Sequence, residues 1–301
     1  MDAHTVVVPA VADREPLPPS VVHYYRETTQ DYRAWSPNLN MHFGYWRRGL
    51  SPFDRERMID EMTLQVLARL ERGGHRLARL ADLGCGAGGP AAVVLRERPA
   101  LRLDGVTLLP EQAALARAAA HRHGVATRAA FHAADYTATR LPAGAFDGAM
   151  AIESACHAPG ADKLGFVREA ARLLAPGGRL VVADGFLKRR AGRGGFGAWA
   201  IDALARNWAV PGFARIDDFR RVLADNGFDD IEVEEVSMRL GPSVLHIPFV
   251  TARVLLRYLS RRELRIGRVR WGHVLASLLA PVVGLMRRRF GYFLITARKR
   301  G

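Results

Sequence analysis

Residues 79–90 read RLADLGCGAGGP, and the fold turns on how they are parsed. An apolar run from Leu80 to Leu83, broken only by Asp82, meets glycines at 84, 86, 88 and 89, and a helical pattern then runs over residues 89–98. A strand that passes through glycines straight into a helix opens a parallel sheet. Glycine tolerates the tight turn and lets a ligand approach the backbone at the strand's carboxyl end. Working outward, the same alternation recurs: "LRLDGVTL" before a helix over 110–123, "FDGAMAIES" before 162–175, and "GGRLVVADGF" before 216–226. "TRAAFHAAD" (127–135) supplies a further strand, and "IEVEEVS" (231–237) and "YFLITARK" (292–299) pair at one edge. This pattern predicts an α/β fold with a doubly wound sheet. About 54 residues separate the last two strands where a hairpin needs only a few, so that piece is a helical insertion ahead of the last strand. The expected division is a flexible leader over 1–20, a helical N-terminal lid over 21–70, a core of 71–237 with 292–301, and a basic helical cap over 238–291.

Composition narrows the function classes. The 301 residues are 49% hydrophobic, enough for a sizeable core. Cys85 and Cys156 are the only cysteines; they form no disulfide framework and lack metal-site spacing, which points to a reducing cytoplasm and no bound metal. The leader has no basic start and no long apolar stretch, so it does not read as a signal peptide. The longest apolar run, 274–286, contains Pro281 and falls short of the roughly 20 residues a bilayer requires. Net charge is +14, and residues 238–301 hold fourteen Arg and Lys against one acid, Glu263, so this segment carries nearly all of it.

The glycine turn alone also suits a dinucleotide. With Asp82 directly before it, and Gly84, Cys85, Gly86 and Gly88 in "GCGAGG", it resembles motif I of class I S-adenosylmethionine (SAM) methyltransferases. The resemblance implies a Rossmann-like sheet of seven strands with the last antiparallel, and SAM as cofactor. "GVTLLPEQ" (105–112) resembles the corresponding stretch of cyclopropane synthase-like and tocopherol methyltransferase-like enzymes, which implies cofactor contacts from Thr107, Leu108 and Gln112. "AADY" places Asp135 where the family contacts the adenine amino group, with Tyr136 against the ring. Each of these polar residues also suits a helix cap.

"DGAMAIESACHAP" (147–159) and "GAGGPA" (86–91) resemble sterol C-methyltransferases. Residues 24–46 depart from those enzymes and are more similar to the His-Gly-Tyr segment of tocopherol-type enzymes, which adds Tyr45 to the expected cofactor contacts. Methylating an alkene leaves a carbocation that needs aromatic faces and a base. Tyr25, Tyr32, Trp35 and Trp46 are the expected substrate-facing rings, Glu153 the base and His157 a relay, with cofactor orientation for Glu153 and a structural place for His157 as the alternatives. The expected reaction is SAM-dependent C-methylation of an isoprenoid alkene (sterol, linear terpene or prenyl chain); the alternative is O- or N-methylation of a small aromatic secondary metabolite.

The insertion reads as a helix from 249 to 264 with Arg253, Arg257, Arg261 and Arg265 on one side, then an apolar segment closed by Arg287, Arg288 and Arg289. Such segments suit the surface of an anionic membrane, a diphosphate-bearing substrate, or a cap with solvated arginines. Nucleic acid is not an expected partner: "IESA" stands where nucleobase amino-methyltransferases carry an Asn/Asp-Pro-Pro-aromatic motif. The partners expected are a lipophilic small molecule, an anionic membrane in peripheral contact with a cytoplasmic protein, and a second copy in a homodimer.

Overall fold

The computed structural model describes residues 19–189, 194–260 and 267–301. Most of the leader, and Arg261 and Arg265 of the arginine stripe, lie outside the described residues. In chain order the elements are α1 (Pro19–Thr28), α2 (Tyr32–Trp35), α3 (Arg55–Leu70), β1 (Arg79–Leu83), α4 (Gly89–Glu97), β2 (Arg102–Thr107), α5 (Pro110–Arg122), β3 (Ala129–Ala133) and β4 (Phe146–Ile152). Then come α6 (Leu164–Leu173), β5 (Leu174–Leu187), α7 (Phe196–Asn207), α8 (Ile216–Asp225), β6 (Phe228–Glu235), α9 (Ser237–Val244), α10 (Ile247–Ser260), α11 (Arg268–Leu285) and β7 (Phe290–Lys299).

The seven strands form one sheet in the order β3-β2-β1-β4-β5-β7-β6. The first five pair in parallel, and β7 runs antiparallel between β5 and β6. Successive strand residues face opposite sides, so each side needs its own cover. Leu80, Leu103, Met150 and Val181 pack under α3 and α4 with Met62, Val66, Leu70 and Val94. Ala81, Leu83, Ala149 and Val182 face α6 and α8 through Phe166, Val167, Phe219 and Leu223. Both faces are dry, which is why the strands read as almost unbroken apolar runs.

Three features differ from the sequence expectation. Residues 36–54 are irregular rather than helical, and α3 belongs to the sheet's core rather than to the lid. Helix α7 has no counterpart in the sequence reading, because its flanking glycines and aromatic residues hide its period. It lies against α11, with Gly272 beside Asn207 at one end and Gly197 beside Met286 and Arg289 at the other. The cap is therefore built from α7 as well as α9, α10 and α11.

Candidate active site

Two cavities open at the carboxyl edge of the parallel strands. The smaller is walled by Gly84, Cys85, Gly86, Thr107, Leu108, Gln112 and Tyr136. Gly84 has φ 103°, and a Cβ there would stand 2.2 Å from the Ser154 Cβ, so only glycine lets β1 turn under the β4 loop. Gly88, at the start of α4, is pressed against Ala116 of α5 and does not line the cavity. Thr107 Oγ1 donates to Gln112 Oε1 at 2.7 Å, and Gln112 Nε2 donates to Thr29 Oγ1 of the lid at 3.3 Å. Tyr136 donates to the Ser154 carbonyl at 2.7 Å. Asp135 sits outside the lining and accepts from Thr137 N and Oγ1, a local cap of its own turn.

The larger cavity lies between the lid, the cap and the ends of β4, β5 and β7. It holds about 1430 Å³ of space free of protein atoms, counting its open mouth. Tyr25, Tyr32, Trp35, Phe43 and Trp208 give it aromatic walls, and among the described residues no arginine or lysine lines it. Tyr45 and Trp46 reach neither cavity. The backbone bonds Tyr45 N to Met58 O and Trp46 N to Arg239 O turn this segment away from both cavities. Tyr45 therefore enters the core beside Met62 and Val66, and the Trp46 ring donates to Leu50 O.

Five residues line both cavities: Tyr25, Met41, His42, Glu153 and His157. Glu153 stands just past β4 in the left-handed region, φ 49°, a conformation that costs a side-chain-bearing residue energy and concentrates at functional sites. Its Oε1 accepts from Phe43 N at 2.7 Å and from the Tyr292 hydroxyl of β7 at 2.9 Å. Burial still pushes its carboxyl up to about 8. His157 Nδ1 faces the Ala209 carbonyl at 3.2 Å, and a carbonyl only accepts, so the proton is on Nδ1. Nε2 is then an acceptor, filled by the Tyr25 hydroxyl at 2.9 Å. His42 repeats this arrangement, with Nδ1 donating to Phe43 O at 3.0 Å and a buried Nε2 that has no partner. Burial lowers both imidazoles to about 4, so both are neutral at physiological pH.

Behind the junction, Asp184 at the end of β5 accepts from Cys156 N and Gly185 N, while burial raises it to about 6. Lys163, wholly buried, donates to the carbonyls of Cys156, Ala158 and Gly212 at 2.7–3.0 Å and ties the β4 loop to the segment after α7.

A methyltransferase domain family matches residues 81–182, the span that carries the glycine turn and the β4 loop. An O-methyltransferase of Penicillium expansum, cnsE, is 31% identical over 240 residues, which cover 78% of this chain and 81% of that protein. The chain belongs to the SAM-dependent methyltransferase family. A second relative, the 24-methylenesterol C-methyltransferase 2 of Oryza sativa subsp. japonica, is 28% identical over 77% of this chain and 61% of its own length. The cyclopropane synthase MmaA2 from Mycobacterium tuberculosis shares the fold, with a TM-score of 0.76, 16% identity, and coverage of 95% of this chain and all of that one.

The methyltransferase's smaller cavity suits SAM on its own chemistry. Asn40 Oδ1 and His42 Nε2 in its wall, and Asp82 Oδ2 just beneath the glycine turn, are buried acceptors without donors. Burial also pushes Asp82 up to about 7. Each unfilled acceptor costs ~1–3 kcal/mol, which a ligand rich in N–H and O–H donors offsets. Asn40 Oδ1 also crowds the turn so closely that a Cβ on Gly89 would overlap it. Sequence reasoning passed over Asn40, Met41, His42, Asp184 and Tyr292. Asp184 repeats at the end of β5 the pattern of Asp82 at the end of β1, an acid closing an apolar strand, and that signal was readable. Tyr292 carried none, since its role depends on where β7 inserts.

Proposed function

We propose that the methyltransferase methylates a hydroxyl of an uncharged, oxygen-bearing lipophile. The observation that carries this reading is the Tyr25–His157 pair on the wall between the cavities. SAM supplies an electrophilic methyl group when bound. An attacking hydroxyl needs its proton removed as it reacts. The Tyr25 oxygen can accept that proton while its own passes to His157 Nε2, whose tautomer the Ala209 carbonyl holds. Such a positioned base contributes ~10²–10⁴-fold. The cavity wall supports the substrate class: Tyr24 bonds Tyr32 at 3.2 Å and His273 Nδ1 at 2.7 Å, a second line of hydroxyl and imidazole groups among aromatic faces. A diphosphate would meet no cation among the described residues of this lining.

A second reading, C-methylation of an isoprenoid alkene, is favoured by Glu153. Its carboxylate stands at the junction with the rings of Tyr25, Tyr32 and Trp35 in the same cavity, the groups a carbocation and its departing proton require. One experiment separates the two. The protein is incubated with methyl-labelled SAM and, in parallel, a prenylated quinol, a hydroxylated macrolactone and squalene, and each product is treated with hydriodic acid. Label released as methyl iodide marks an ether and supports the hydroxyl acceptor. Label retained on carbon overturns it in favour of the alkene.

A further inference from the structure

Helix α11 is apolar on both of its faces. Val274, Ser277, Ala280 and Val283 line the larger cavity. On the opposite side Trp271, Leu275, Leu278 and Leu285 recur at spacings of four, three and seven, one stripe along the helix, and all are exposed, Trp271 by 51% and Leu285 by 82%. Beside the carboxyl end of α11, the rings of Phe196 and Trp199 on α7 stack 5.6 Å apart, also in solvent. A helix that is apolar all round ordinarily has cover on every side. Among the described residues nothing covers the outer side, and exposed apolar surface of this extent marks an interaction site.

We infer that this outer face of α7 and α11 docks on an anionic lipid surface, from which the lipophilic substrate enters the cavity one helix away. The charge around the stripe selects this occupant. Arg206, Arg268, Arg288 and Arg289 surround it, exposed and without an ion pair among the described residues. The two helices carry a single acid, Asp202. Trp and Leu enter the interfacial zone while guanidinium groups reach the phosphates around them. Pairing with a second copy would set arginine rim against arginine rim between two molecules of net charge +14, which repels.

The inference rests on the lipophilic-substrate reading for its purpose but is tested without turnover, so each can fail alone. The full-length protein is sedimented with vesicles of phosphatidylcholine and with vesicles holding about one third phosphatidylserine. Binding to the anionic vesicles, weakened by salt, is expected. Trp271→Ser with Leu278→Ser should weaken it by roughly tenfold per residue replaced, and Arg288→Gln with Arg289→Gln by several-fold, with SAM affinity unchanged as evidence of an intact fold. No sedimentation, equal partition into both vesicle types, or binding unaltered in the double variants overturns the inference. So does light scattering that finds a wild-type dimer made monomeric by Trp271→Ser with Leu278→Ser.

Discussion

Replacing Glu153 with Gln separates charge from architecture at the junction. Gln retains an oxygen for Phe43 N and the Tyr292 hydroxyl and removes only the ionisation. In the free protein the carboxyl titrates at about 8 against an ordinary 4.5. A sulfonium beside it favours the carboxylate, so cofactor binding should expel a proton wherever the free protein holds one. If the bound form returns to its ordinary value, linkage makes SAM affinity rise by about fiftyfold between pH 6 and pH 8. Titration calorimetry in two buffers of different ionisation enthalpy reads both affinity and protons released. The difference between wild type and Glu153→Gln cancels the cofactor's own ammonium titration. A flat difference across that range, or no proton released by the wild type at pH 6.5, would refute the account of Glu153 as a buried acid answering to the cofactor's charge.

Four further outcomes follow from the same geometry. Glu153, Asp82 and Asp184 are raised to about 8, 7 and 6, so their stabilising protonation is complete below the unfolded carboxyl range and lost as pH rises through those values. His42, His157 and His273, lowered to about 4, act in the other direction: their contribution is present above 6.5 and lost as pH falls. Thermal melting of the cofactor-free protein should therefore be highest near pH 6, and a midpoint still climbing from pH 6.5 to 8.5 would contradict this. His157→Ala should lower kcat by ~10²–10⁴ with SAM affinity within about threefold, and Tyr25→Phe should do likewise, measured as single turnovers once a substrate is in hand. Gly84→Ala, whose Cβ meets Ser154, should abolish SAM binding in an equilibrium assay while Gly241→Ala, with open space around it and an ordinary φ, leaves binding intact. Lys163→Met leaves the buried carbonyls of Cys156 and Ala158 and the part-buried carbonyl of Gly212 without this donor and should cost ~3 kcal/mol in chemical denaturation.

The sheet was legible because its strands are buried on both faces and its helices start at readable punctuation. The glycine turn at 84–89 and Pro110 fall where α4 and α5 begin. Helix α7 was not legible, since glycines precede it and its apolar residues serve both a cavity and a neighbouring helix. Of the residues expected by position after strand ends, Thr107, Gln112, Glu153 and His157 line a cavity. The aromatic lid was read only in part. Tyr25, Tyr32 and Trp35 lie on turns of helix that face inward, whereas the direction of Tyr45 and Trp46 is set by backbone bonds to Met58 and Arg239, distant in sequence for the second. His42 and Tyr292 become functional candidates only through such non-local contacts, which local periodicity does not encode.

Strand β7 occupies the interior of the sheet, although it is synthesised after the other six strands. Until residues 290–299 have left the ribosome, β6 has no neighbour to bond to, and β5 presents an open row of amides to any other polypeptide. Glu153 likewise lacks the Tyr292 hydroxyl until then. A nascent polypeptide thus holds its glycine turn and β4 loop early and assembles the junction last, so prematurely terminated products should be inactive and prone to aggregate rather than partly active.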